Sequence, residues 1–265
     1  MLAAIAAILG LTVPALAPAE RQMTGEGHCG LRVVEHARVA ETIDGDTVRL
    51  IDGRQVRLVG IQAPKLALGR KNFTDWPMAA EAKASLERLV QGQRVGLGYG
   101  GLKIDRNGRT LAHLYIDGTA LWVQAAMISS GMARVYSWPD NRACVTELLA
   151  RERVARKMKV GVWSLPFYRI RTPVELGGEI DSFQIVEGQV VSTAEVRGRV
   201  FLNFGRDYRT DFTVTIAPED LKPFRAASLD PSTLGGKAIR VRGWISLLNG
   251  PEIEVTHPEQ IEVLP

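Results

Sequence analysis

The sequence predicts a mainly β protein with helices, an α+β fold built from two small Greek-key barrels in tandem. Three observations predict it. Short runs rich in Val, Ile, Leu and Thr are separated by tight polar turns from Arg32 onward. A strongly helical stretch, MAAEAKASLERLVQG, interrupts them. The order three strands, a helix and two strands then returns beyond residue 181. That order belongs to a five-stranded OB-type Greek-key β-barrel.

Each element has a local reason. ARVAETI runs into Asp44-Gly45, DTVRLI into Asp52-Gly53, and QVRLVGI follows, so two Asp-Gly turns predict a three-stranded meander. In MAAEAKASLERLVQG the Ala, Leu and Val residues recur at three-to-four spacing, and Gly92 ends the helix. QRVGLGYGGLKI and RTLAHLYI form a second hairpin around Asp105-Arg106-Asn107-Gly108. ALWVQAAMISSG predicts a short helix, and roughly 141–160 a longer basic one ending at Gly161. RTPVELGGE, with its Pro and Gly pair, predicts a linker at 171–180. Beyond it QIVEGQVVSTAEV, RGRVFLNFG and DFTVTI read as strands, APEDLKPFRAA as a helix, and AIRVRGWISL and EIEVTHPEQIEVL as closing strands. The expected domains are therefore 32–170 and 181–265.

Composition excludes a disordered chain, since 46% of the 265 residues are hydrophobic and no low-complexity tract occurs. Charge is divided unevenly. Residues 1–174 carry 24 Lys and Arg against 15 Asp and Glu, whereas 175–265 carry 9 against 14. A basic front half suits an anionic partner, nucleic acid or a lipid surface, or is simply a solvated face. Residues 2–19, LAAIAAILGLTVPALAPA, hold no charge and end in small-residue patterns. They predict a signal peptide, with an uncleaved membrane anchor as the alternative, and hence a periplasmic, secreted or membrane-tethered protein. Cys29 and Cys144 are the two cysteines, and their spacing alone does not decide whether they pair.

The chemistry gathers at strand ends. Asp46 opens the second strand, and Arg57 lies on the third, sharing a face with Val59 and Ile61. A cation on such a face needs an anion or a polar pocket, because leaving it unpaired costs several kcal/mol, on that order. Arg109 opens a later strand just past Gly108. If the barrel closes, one carboxylate and two guanidinium groups meet near one mouth. A carboxylate offers a hard oxygen to a divalent cation, and arginines clamp phosphate oxygens. The plain alternatives are a turn residue for Asp46, an internal ion pair for Arg57 and a solvated Arg109.

Taken together, IDGDTVRL, VRLVGIQAPK, AAEAK, DRNGRTLAHLYIDG, GMARVY and GVWS, in this order, resemble the staphylococcal nuclease, or thermonuclease-like, family over about residues 36–168. The resemblance implies an OB barrel packed against three helices. It implies either Ca²⁺-dependent phosphodiesterase activity on DNA and RNA or a nucleic-acid-binding module that has lost cutting. It assigns Asp46 to the first calcium ligand, Arg57 and Arg109 to the phosphate-holding arginines, and Asp105 to a supporting role. GIQAPK departs from the family pattern V/I-D-x-P-E. Gln62 replaces the second calcium-binding aspartate, Lys65 replaces the glutamate that activates water, and Asn107 replaces a base-stacking tyrosine.

Losing one carboxylate and adding an ammonium removes the negative charge that seats a hard cation. Lys65 also fails as a general base while it is protonated, and losing a base typically costs about 10²–10⁴-fold. The expectation is a phosphate or nucleic-acid site using Arg57, Arg109 and Lys65, with a weakened Ca²⁺ site at Asp46 and impaired hydrolysis. One alternative is an active enzyme with an acid recruited from Glu41, Asp44, Asp75 or Asp105. Another is a protein-interaction module of the cell envelope. In the second barrel, Phe201, Phe204, Tyr208 and Trp244 near Arg197, Arg199, Arg206 and Arg209 read as core aromatics or a stacking surface. Its acidic balance suggests docking on the basic front half or on a protein partner.

Overall fold

The computed structural model describes residues 28–119 and 121–265. The apolar leader at 2–19 lies outside them. The strands of the first barrel are β1 (Val33–Asp44), β2 (Thr47–Leu50), β3 (Gln55–Leu58), β4 (Ile61–Gln62), β5 (Arg94–Gly98), β6 (Thr110–Ile116), β7 (Leu121–Trp122) and β8 (Arg134–Val135). Its helices are α1 (Ala79–Val90), α2 (Val123–Ser129) and α3 (Val145–Lys157).

The meander forms as its turns require. β1 pairs antiparallel with β2 and β2 with β3, while β1 also pairs with β5 and β5 with β6. Closure comes from a parallel pairing of β3 with β6, which sets Arg57 opposite Leu111. The apolar residues left inside, among them Val48, Leu50, Val56, Leu58, Leu97 and Leu114, make one core. Helix α1 buries Ala82, Leu86 and Val90, a four-residue spacing along one face, and packs on β1. Gly45 allows that approach, because a Cβ there would stand 2.6 Å from the Ala63 Cβ and 2.9 Å from that of Ala82. The turn carrying Asp46 is thereby pinned against α1.

The second barrel contains β9 (Phe183–Gln189), β10 (Ser192–Val196), β11 (Arg199–Asn203), β12 (Thr213–Ile216), β13 (Ala238–Trp244), β14 (Ser246–Leu248), β15 (Gly250–Glu254) and β16 (Ile261–Val263), with α4 (Leu221–Ala226) between β12 and β13. β12 and β15 run parallel, and β13 pairs antiparallel with β9. The first barrel has the corresponding parallel closure in β3 and β6, so both follow the OB-type strand order. QIVEGQVVSTAEV is two strands rather than one, because the chain bends at Val190 and Val191 to pass from one sheet to the other. The basic helix is shorter than 141–160. Its start is delayed by Cys144, which has a left-handed φ of 66°.

Residues 171–180 are not a free tether. Arg171 exchanges backbone hydrogen bonds with β9, from its N to Ile185 O (2.8 Å) and from Glu187 N to its carbonyl (2.9 Å). Thr172 and Glu175 cap a 3-10 turn over Pro173–Gly178 in a reciprocal box, and Leu176 is buried in the second core. Pro and Gly shape a compact turn here, and one apolar side chain anchors it.

The acidic second barrel does dock on the basic front half. Arg142 meets Glu259 (2.9 Å), and Arg156 meets Glu262 (3.2 Å). Arg242, on β13, is fully buried against Glu152 of α3 (2.9 Å) and Glu262 (2.8 Å). Glu152 in turn accepts the Val135 N–H (2.8 Å), so the interface braces β8. A Cys29–Cys144 disulfide ties the first described residues to the start of α3.

Candidate functional site

Asp46 follows the Gly45 turn and is completely buried. Its backbone N–H donates to Asp44 Oδ1 (3.0 Å), which fixes the turn. Its carboxylate is fully engaged. Ala63 N donates to Oδ2 (2.7 Å), Thr47 Oγ1 donates to Oδ1 (3.3 Å), and Arg57 Nη2 lies 3.2 Å from Oδ2. Lys65 Nζ reaches both oxygens, at 2.9 Å from Oδ1 and 2.7 Å from Oδ2. Burial alone would raise the Asp46 pKa. The charges of Arg57 and Lys65, with the hydrogen bonds from Lys65 and Ala63, outweigh it and hold it at about 2. Burial lowers the pKa of Lys65, and the attraction of Asp46 only partly restores it. Burial first, and then the Asp46 charge, push Asp44 upward.

Arg57 turns inward. Its Nη1 donates to Leu58 O (2.6 Å) and Asp46 O (3.3 Å), and Nη2 donates to Ile61 O (2.7 Å). The backbone makes this cradle by reversing at Gly60, whose φ is +79°. The ion-pair alternative for Arg57 is therefore part of the geometry.

Arg109 does not join Asp46 directly. Asp105 Oδ1 accepts the N–H groups of Asn107 and Arg109, while its Oδ2 takes Arg109 Nε (2.8 Å) and Nη2 (2.7 Å). The hairpin acid thus captures the arginine expected to converge on Asp46. By strand register, Arg109 remains on the face of Arg57, one alternation before its partner Leu111.

Gln62 is also engaged elsewhere. The β4–β8 pairing sets it opposite Arg134, whose Nη2 donates to Gln62 Oε1 (2.9 Å). Arg134 is buried between the rings of Tyr168 (5.2 Å) and Phe183 (5.0 Å), and burial lowers its pKa to about 10. Sequence reasoning did not single out Arg134. Its position within GMARVY was available, but its burial depends on Phe183 from the other barrel.

The acids considered as replacements are scattered. Glu41 pairs with Arg49, Asp75 Oδ1 accepts the Ala67 N–H, and Asp105 holds Arg109. Only Asp44 adjoins Asp46. Among the described residues no group of three or more His, Cys, Asp or Glu is placed to hold a metal ion. A hard cation wants several free oxygens. Here both Asp46 oxygens already accept an ammonium, and Gln62 Oε1 serves Arg134, so these donors do not fit calcium.

Comparison with known proteins agrees with this architecture. Residues 55–165 match the model of the family described as "Staphylococcal nuclease homologue". An uncharacterized endonuclease of Escherichia coli O157:H7 is 34% identical over 133 residues, covering 49% of this chain and 77% of that protein. Endonuclease YncB of Bacillus subtilis (strain 168) is 30% identical over 131 residues, 48% of this chain and 60% of its own length. The thermonuclease of Staphylococcus hyicus is 29% identical over 130 residues, 48% and 75% of the two chains. The second barrel lies beyond the matched residues of the family model. With the barrel closed as the motifs require and relatives of this similarity, the chain belongs to the staphylococcal nuclease family.

Proposed function

We propose that this nuclease-family protein binds nucleic-acid phosphate without a metal ion and hydrolyses it poorly. One observation carries the reading, the Lys65 ammonium astride both oxygens of Asp46. It supplies positive charge where a dication would otherwise be needed, and it leaves one of its three donors for an incoming phosphate oxygen. Lys65 is 22% exposed and Arg109 31%, so both remain within reach of solvent and of a ligand. No carboxylate stands at position 65 to accept a proton from water. The test is the binding of a labelled single-stranded oligonucleotide in chelator. Affinity is expected to survive chelation, to fall steeply with log salt, and to drop about tenfold in Lys65→Ala. Binding that requires Ca²⁺, or brisk Ca²⁺-dependent cleavage, would overturn the proposal.

A second reading keeps hydrolysis, as the names of the endonuclease relatives suggest for those proteins. Its support is Asp44, an acid beside Asp46 whose raised pKa makes it a better proton acceptor than an ordinary aspartate. Under that reading Asp44→Asn abolishes cleavage.

We also propose an exported or membrane-tethered location. The Cys29–Cys144 disulfide supports an oxidising compartment, and the uncharged residues 2–19 support a leader or anchor. Cell fractionation tests this, with all of the protein in the cytosolic fraction as the outcome that would reject it.

A further inference from the structure

The cleft between the two barrels is lined by aromatic side chains from both. Tyr136 and Trp138 follow β8, and their rings meet edge to face at 5.3 Å. Phe183 of β9 packs on Tyr136 at 4.9 Å, and Trp244, the last residue of β13, donates its indole N–H to the Tyr136 hydroxyl (2.9 Å). The cleft encloses about 350 Å³, within the range of small-ligand sites. Trp138 is 55% exposed and Trp244 46%, although tryptophan is highly buried on average. Buried aromatics would need no further explanation, but these two keep ring surface in water.

Charge identifies the occupant. Tyr136 N donates to Gly60 O (3.0 Å), so the cleft begins where the Arg57 cradle ends. Burial raises the Tyr136 pKa, and the Trp244 hydrogen bond, then the charges of Arg57 and Arg106, oppose that shift. Glu254, the acid on the cleft wall, pairs with Arg199 (2.9 Å). An aromatic slot beside the positive charge of Arg57, itself held inward on Asp46, and of Arg106 matches a base joined to its phosphate, whereas a purely apolar peptide would make no use of that charge.

We propose that Trp244 of the second barrel stacks on a base of single-stranded nucleic acid whose phosphate lies at the first barrel. The second barrel then completes a binding site that the nuclease-family domain alone provides in part. This rests on the phosphate-binding reading above, and the two fail separately in one experiment.

Affinity is measured at low salt for a short oligothymidylate and for an abasic deoxyribose-phosphate oligomer of equal length. The full-length protein is expected to prefer the oligothymidylate about tenfold, the size of one stacked base. Trp244→Ala removes the preference and leaves abasic binding unchanged. Trp244→Phe, which keeps a ring and loses only the indole N–H, retains most of it. Equal affinity for the two oligomers in the unaltered protein overturns the stacking site while leaving phosphate binding intact. A preference that persists in Trp244→Ala also overturns it. Failure to bind either oligomer rejects the phosphate reading and this one together.

Discussion

Lys65 Nζ lies 2.7 Å from Asp46 Oδ2 and 2.9 Å from Oδ1, joining a helix-proximal loop to the first turn of the barrel across 19 residues. The pair is structural before it is functional. Asp46 is fully buried, so its charge persists only while cations compensate it.

Replacing Lys65 with Met removes one of those cations. The expected cost is about 1–3 kcal/mol at neutral pH, read as a lower urea midpoint. The pH dependence gives an independent check. Asp46 has a folded pKa held at about 2, below the ordinary 3.8, so its stabilisation is present above pH 4 and fades as pH falls towards 2. In Lys65→Met the Asp46 pKa rises and the acid loss begins at higher pH.

Gln62 answers to Arg134 rather than to the Asp46 cluster. Gln62→Ala leaves that buried guanidinium without its side-chain acceptor and should cost about 2 kcal/mol. Gln62→Asp places a carboxylate opposite Arg134, which neutralises it. Restoring the family acid at this one position is therefore expected to give no Ca²⁺-dependent rise in melting temperature. A clear rise with calcium would show that position 62 faces the Asp46 cluster after all.

The Arg242–Glu152 pair should dominate the junction between barrels. Arg242→Met leaves Glu152 and Glu262 buried without their main partner, and the expected loss is about 3–5 kcal/mol. Adding Glu152→Gln should recover part of it. A double-mutant cycle that shows no coupling would contradict the contact.

His257 is buried at the same junction, with Nε2 2.7 Å from Ser137 Oγ and Nδ1 3.0 Å from Thr256 Oγ1. Burial lowers its pKa from 6.5 to about 4. The unfolded chain binds a proton here that the folded chain refuses, so stability is full above pH 6.5 and declines towards pH 4. The decline attributable to His257 is on the order of 1–3 kcal/mol. His257→Gln should flatten, without abolishing, the slope of denaturation midpoint against pH. His113, also buried and lowered to about 3, adds to the same slope.

The sequence by itself determined the first three-stranded meander, the helix α1 and the two-barrel order, because residue alternation and Asp-Gly turns act over a few neighbours. It also carried the expectation of a weakened cation site, since Gln62 and Lys65 bring no negative charge and that depends on residue type alone. Only tertiary structure decided the partners. Lys65 reached Asp46, Gln62 went to Arg134, and Arg109 went to Asp105 rather than towards Asp46. Arg242 crossed 90 residues to Glu152. A buried charge takes whichever counter-group packing brings within about 3 Å, and desolvation makes that choice strong. Local pattern holds no information about which group that will be. Residues 171–180 illustrate the same limit, since Pro and Gly marked a linker there but the burial of Leu176 made it part of a core.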